Sequence, residues 1–304
     1  MLQLLERLIE ENALCYKNGK LADYIPELAN VNPATLGVSL VDTEGKIYSA
    51  GDYTSKFTMQ SITKVITLML ALMEKGFAEV FNHVGMEPTG DPFNSIIRLE
   101  TIKPAKPLNP MINAGAIATV SLLSGNGEER INKILELVRR MSGNSSIQFN
   151  EKVYRSELQT GDLNRSLAYF MRNYRVIKGD VAEHLDVYFK QSSIEVTVKD
   201  IAQMAAVMAN DGIDLVTGER IIPKETVRIA KTFMVTCGMY NASGEFAINV
   251  GVPAKSGVGG GIMAVAPHKY GIGVVGPALD EKGNSIAGLK ILQSLSKELN
   301  LSIF

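Results

Sequence analysis

Tryptophan is absent from this chain, and cysteine and histidine are scarce, with two and three residues in 304. Cys15 and Cys237 have no partner at metal-ligand spacing. That excludes a disulfide framework and favours a reducing compartment. His83, His184 and His268 share no short motif, which argues against the usual zinc sites. Neither a metal nor a cofactor is expected. An excess of one charge is missing too: the net charge is −1, charged residues make up 21%, and no run of five like charges occurs. The chain therefore has no electrostatic footprint for nucleic acid or an anionic membrane. Long hydrophobic runs are also lacking. The longest, Val65 to Met73, is broken by Thr67 and is about half of the ~20 residues a membrane span needs. At the N-terminus, MLQLLERLIEENALCY carries Glu6, Glu10 and Glu11 among its apolar residues and has no positive leader, so it does not read as a secretory signal. A soluble, cytoplasmic protein is expected.

What the chain does have is apolar content, 46%, enough for one large core or two lobes sharing an interface. Leu2, Leu5, Leu8 and Ile9 form one face of an N-terminal helix. Leu36–Val41 and Lys46–Ala50, joined by the turn Asp42–Gly45, read as a β-hairpin. A helix opens at Ser61 and should stop at Gly76. The segment from Gly85 to Pro110 holds five of eleven prolines and reads as a long loop. From Asn113 to about Ala209 nearly everything reads helical, including one stretch from Asn150 to Asn173 with a glycine at Gly161. Thr197 and Asp200 form a capping box for a further helix. Strand patterns return at Glu245–Val250, Gly261–Pro267 and Tyr270–Gly276, and a helix from about Asn284 to Leu299 closes the chain. Strands early and late around a helical block predict an α+β fold. Residues 1–64 and 220–304 would form a sheet lobe, with an antiparallel sheet flanked by the terminal helices. Residues 65–219 would be an inserted helical lobe, and the active site would lie between the two.

The chemistry is concentrated in FTMQSITKVITLML, residues 57–70. Ser61 and Lys64 stand three apart where the chain turns apolar, so they share a helix face with Cβ atoms about 5–6 Å apart. They could be a cap and a solvated lysine, or a nucleophile and its base. A hydroxyl at a helix entrance meets unpaired N–H groups and the positive end of the helix dipole. A lysine there accepts a proton only if neutral, which burial promotes. Spacing alone decides little, because Ser294 and Lys297 repeat it near the chain end. Position decides more. Lys255-Ser256-Gly257-Val258-Gly259-Gly260-Gly261 leads into a strong strand, and a Lys-Ser-Gly triplet beside a Ser-x-x-Lys helix marks the serine β-lactamase and penicillin-binding superfamily.

With these motifs in place, the sequence closely resembles the bacterial and mitochondrial-type glutaminases, which share the β-lactamase/transpeptidase-like fold. LADYIPELA, NPMINAGAI, VYRSELQTGDLNRSLAYFM, DVYFKQSSIEVT, CGMYNASGEFA and KSGVGGGI match in order over essentially the whole chain. The resemblance implies hydrolysis of L-glutamine to L-glutamate and ammonia through a γ-glutamyl-serine ester. Ser61 would be the nucleophile and Lys64 the general base. Tyr24 and Tyr240 would move protons to the leaving ammonia, and the N–H groups of Ser61 and Val258 would form the oxyanion hole. Glu157 is suited to the substrate ammonium; Asn113, Asn164 and Tyr188 can hydrogen-bond the amino-acid head. Glu157 and Asn164, seven apart, are expected on one helix face. A homo-oligomer, a dimer or tetramer, is implied as well. No regulation through a long tail, as in the larger animal members, is expected. The competing readings are a β-lactamase-like esterase or peptidase, and a catalytically silent glutamine-binding protein.

Overall fold

The computed structural model describes residues 1–90, 92, 94–95, 101 and 106–304. Part of the expected proline-rich loop between Gly85 and Pro110 lies outside these residues.

The hairpin forms as β1 (Gly37–Asp42) and β2 (Ile47–Gly51). Late in the chain come β5 (Ala254–Ser256), β6 (Gly261–Ala266) and β7 (Tyr270–Val275). They join one sheet in the order β2-β1-β7-β6-β5, antiparallel throughout. The two ends of the chain thus build one sheet. Along β6, Ile262 and Ala264 enter one apolar cluster while Met263 and Val265 enter another. Both faces are covered, as the period of two requires.

One cover is α1 (Leu2–Asn12) with the C-terminal α11 (Ile286–Leu299). Leu5, Leu8, Ile291 and Leu295 meet Val38, Leu40 and Val274 there. Leu2 is the exception on the expected face and is half exposed. The other cover is α8 (Val198–Ala209), opened by the Thr197–Asp200 capping box. That reciprocal cap contributes about 1 kcal/mol.

Behind α8 lies a large helical cluster. It contains α2 (Thr63–His83), α3 (Asn113–Leu122), α4 (Gly127–Ser142), α5 (Glu151–Thr160), α6 (Asp162–Asn173) and α7 (Val181–Ser192). Further along the chain, α9 (Lys224–Cys237) packs its Phe233 against Phe81 of α2. A small ladder of β3 (Phe57–Thr58) and β4 (Glu195–Val196) fixes the approach to α2.

Four expectations need correction. Ser61 lies in a 3-10 turn, Gln60–Ile62, and α2 proper begins at Thr63. The helix breaks at Gly76, whose φ of 77° suits a residue without a Cβ, but then resumes to His83. Glu245–Val250, expected as a strand, lies in and just after helix α10 (Ser243–Asn249). There Phe246 and Val250, four apart, are buried while Ile248 faces solvent. That is helical periodicity, which a six-residue window does not separate from alternation. Last, the expected helix Asn150–Asn173 is divided at Gly161 into α5 and α6.

Candidate active site

The turn carrying Ser61 is under strain. Gln60 just before it is buried and has a φ of 49°, uncommon for a residue with a side chain. Thr63 Oγ1 donates to the Gln60 carbonyl at 2.8 Å and holds the turn closed. The glycine-rich segment presses on the same backbone. A Cβ on Gly257 would come within 2.5 Å of the Met59 carbonyl oxygen. We expect Gly257→Ala to displace the Ser61 turn, lowering kcat about 10-fold or more and also lowering Tm, because overpacking here meets backbone. Thermal melts and steady-state assays of that variant check this; unchanged values in both would show the contact to be soft.

Lys64 follows one turn later and is 2% exposed. Its Nζ donates to Asn113 Oδ1 at 2.7 Å and to the Met111 carbonyl at 3.3 Å. Burial lowers its pKa to about 7, against a smaller upward pull from Glu157. Asn113 in turn donates to Asn164 Oδ1 at 3.0 Å. One polar chain therefore links α2, α3 and α6.

Ser61, Asn113, Glu157, Asn164, Tyr188, Val258 and Tyr24 line one pocket of about 110 Å³. Glu157 is 6% exposed and sits on α5. Burial raises its pKa to about 8, although a hydrogen bond from Gln60 and the Lys64 charge pull it down. Asn164 belongs to the next helix, so the two residues converge on the pocket from either side of Gly161 and do not share a face. Tyr188 is buried on α7, and desolvation with the nearby Glu157 holds its phenol well above the ordinary value. Tyr24 comes from the strand-poor segment after α1. Its residue is half exposed, yet burial of the hydroxyl, together with Tyr240 and Glu157, raises its pKa.

Tyr240 reaches the site from the opposite side, with a φ of 52°. Its phenol meets the Ser61 hydroxyl, accepts from the Val258 N–H, and donates to the Ser256 carbonyl at 3.2 Å. Burial nevertheless raises its pKa. Two expected contacts are therefore arranged differently. Among the described residues, Lys64 gives its hydrogen bonds to Asn113 and Met111, and Tyr240 is the side chain that meets Ser61. The Val258 N–H, expected at an oxyanion, is engaged by Tyr240. Lys255 and Ser256 lead by way of the glycine run into β6, as expected, and themselves form the short edge strand β5; neither they nor Gly257 line the pocket.

Gln60 has no place in the sequence reading. It lines the pocket, and its Nε2 donates to Glu157 Oε1 at 2.8 Å and to Thr58 Oγ1 at 3.2 Å. Adjacency to Ser61 was its only sequence signal. Asn94 also lines the pocket without a motif to announce it, and Leu163 and Phe189 line it from within two of the matched segments, where no role was assigned to them. Among the described residues no group of three or more His, Cys, Asp or Glu could hold a metal ion, and no helix is long and apolar enough to cross a membrane.

A strained serine turn, a buried lysine one turn on and a Lys-Ser-Gly edge strand beside an antiparallel sheet define a β-lactamase-like protein. A family profile described as Glutaminase matches residues 19–304. Glutaminase 2 of Clostridium perfringens is 56% identical over the full length of both chains. A probable glutaminase of Bacillus subtilis superposes with a TM-score of 0.94 at 42% identity, covering 100% of this chain and 97% of its own. A Bacillus subtilis glutaminase in covalent complex with 5-oxo-L-norleucine, formed by reaction with 6-diazo-5-oxo-L-norleucine, superposes at 0.90 with 39% identity, over 100% of this chain and 99% of its own. The chain belongs to the glutaminase family.

Proposed function

We propose that this protein hydrolyses L-glutamine to L-glutamate and ammonia through an acyl-enzyme on Ser61, at a site between a sheet lobe (1–64 and 220–304) and a helical lobe (65–219). The observation that carries the reading is the hydrogen bonding of Lys64. A neutral amine has two N–H groups and one lone pair. Asn113 and Met111 take the two N–H groups. The lone pair is left over to take a proton, and burial brings the amine's pKa down to about 7, so that a large share of it is neutral near pH 7.

In this mechanism Ser61 Oγ attacks the side-chain amide carbon, and its proton passes to Lys64. The carbonyl oxygen gains negative charge and is met by the N–H groups of Ser61 and Val258, the latter released by Tyr240. The C–N bond breaks as the proton on Lys64 passes by way of Tyr240 or Tyr24 to the nitrogen, so that ammonia leaves and Lys64 is neutral again. Water, deprotonated by Lys64, then attacks the γ-glutamyl ester, and Ser61 regains its proton. Glu157, steadied by Gln60, holds the substrate ammonium, while Asn113, Asn164 and Tyr188 hold the rest of the amino-acid head. The covalent adduct of the Bacillus subtilis relative with a glutamine-like ketone supports a nucleophile in the same fold.

Incubation with L-glutamine should release glutamate and ammonia in equal amounts. L-Asparagine should be hydrolysed at least about 100-fold more slowly. With its head held at Glu157, a side chain one methylene shorter leaves the amide carbon about 1 Å out of place. No release from glutamine would remove the reading, and equal rates would make the protein a broader amidase. A cytoplasmic location suits the two free cysteines. A homo-oligomer, dimer or tetramer, is the proposed assembly, which light scattering tests directly.

A further inference from the structure

Lys255 has no role in the reaction as described, and its surroundings are unusual. It is 0% exposed, and among the described residues no carboxylate pairs with it. Burial, with Lys64 nearby, lowers its pKa well below the ordinary value. Burying such a group without a counter-ion costs stability. Its Nζ lies 4.5 Å from the centroid of the Tyr240 ring and donates to the Ser256 carbonyl at 2.6 Å. That same carbonyl accepts the Tyr240 hydroxyl at 3.2 Å. Ser256 lies on the edge strand, its own N–H donating to Gly238 and not to β6, so among the described residues no further strand competes for this side of the residue.

We propose that Lys255 is a positioning residue for Tyr240: it satisfies the Ser256 carbonyl, so that the phenol proton can turn from that carbonyl toward Ser61 and the leaving nitrogen. The inference rests on the proton-carrying role proposed for Tyr240. A buried carbonyl without a donor is costly. Were Tyr240 its only donor, the phenol would be held there when its proton is needed at the reacting atoms. With the amine bonded to the carbonyl at the shorter distance, rotation of the phenol leaves no acceptor orphaned. The amine also sits on one face of the ring and limits its movement.

The test is a double-mutant cycle with Lys255→Met, Lys255→Gln and Tyr240→Phe, measured in kcat, KM and Tm. Lys255→Met should lower kcat about 10-fold or more and leave KM within about threefold. It should also raise Tm, because an apolar chain replaces a buried amine that has no counter-ion while Tyr240 still donates to the Ser256 carbonyl. Lys255→Gln, which keeps an N–H donor, should fall between wild type and Lys255→Met in kcat. Added to Tyr240→Phe, Lys255→Met should have little further effect. The proposal is overturned if Lys255→Met keeps kcat within about twofold, or if its effect multiplies fully with that of Tyr240→Phe. It is equally overturned if both Lys255 variants melt lower or fail to fold, which would make the amine a structural group. If Tyr240→Phe alone leaves kcat unchanged, the role of Tyr240 fails first, and that result is separate from any result at Lys255.

Discussion

Alanine at position 61 will remove glutamine hydrolysis, lowering kcat about 10⁴-fold or more while the protein still folds and binds glutamine. The size follows from what the serine supplies. Without Oγ there is no ester, and Lys64 can only activate a water that the strained turn does not hold in place. Binding should survive, because the pocket's polar contacts come from Glu157, Asn113, Asn164, Tyr188 and Gln60, on other elements or pointing elsewhere. Folding should survive as well, since Ser61 is only partly buried and its hydroxyl partner Tyr240 retains the Ser256 carbonyl and the Val258 N–H. Mass spectrometry after 6-diazo-5-oxo-L-norleucine should show an adduct on the intact protein and none on Ser61→Ala. An adduct on both, or comparable turnover, would move the nucleophile to another residue.

How far this site was legible from sequence depended on how local each contact is. Ser61 and Lys64 are three apart, so helix geometry alone pairs them. The hairpin and the β6–β7 pair follow from alternation and short turns, and the structure places them within a residue or so of expectation. Contacts between distant segments were out of reach of periodicity. The acceptors that occupy Lys64 come from the backbone at Met111 and the start of α3, and the phenol beside Ser61 comes from a 3-10 turn after α9. Matched segments named Asn113 and Tyr240, but nothing in the residues said that Tyr240 would meet Ser61 more directly than Lys64 does. Gln60 was missed because its importance lies in a left-handed backbone angle and a reach across to α5, and neither leaves a trace in residue type. Glu157 and Asn164 were placed on one face because seven residues complete two helical turns. The break at Gly161 changes that geometry yet keeps both at the pocket.

Glu157→Gln is the second large effect, and it should appear in binding and in pH dependence together. A buried carboxylate holding an ammonium is difficult to replace, so KM should rise about 100-fold or more, with a smaller fall in kcat. The pH argument fixes the sign. Lys64 must be neutral to take the Ser61 proton, so activity is gained as pH rises through about 7. Glu157 must be ionised to hold the ammonium, so in the free protein activity is also gained as pH rises through about 8. The acid limb of kcat/KM in the wild type should therefore contain both groups. Bound glutamine keeps Glu157 ionised, so the limb of kcat should contain Lys64 alone and lie at lower pH. In Glu157→Gln the limb near 8 should vanish from kcat/KM. The Lys64 limb should also move to lower pH, because the carboxylate that raises the lysine is gone. Steady-state kinetics from about pH 5.5 to 9.5, a range reaching roughly 1.5 units below the lower group and above the higher one, read all three effects at once. An unchanged KM would displace the ammonium from Glu157. A raised KM with both limbs intact would keep the carboxylate in binding but assign the limb near 8 to another group.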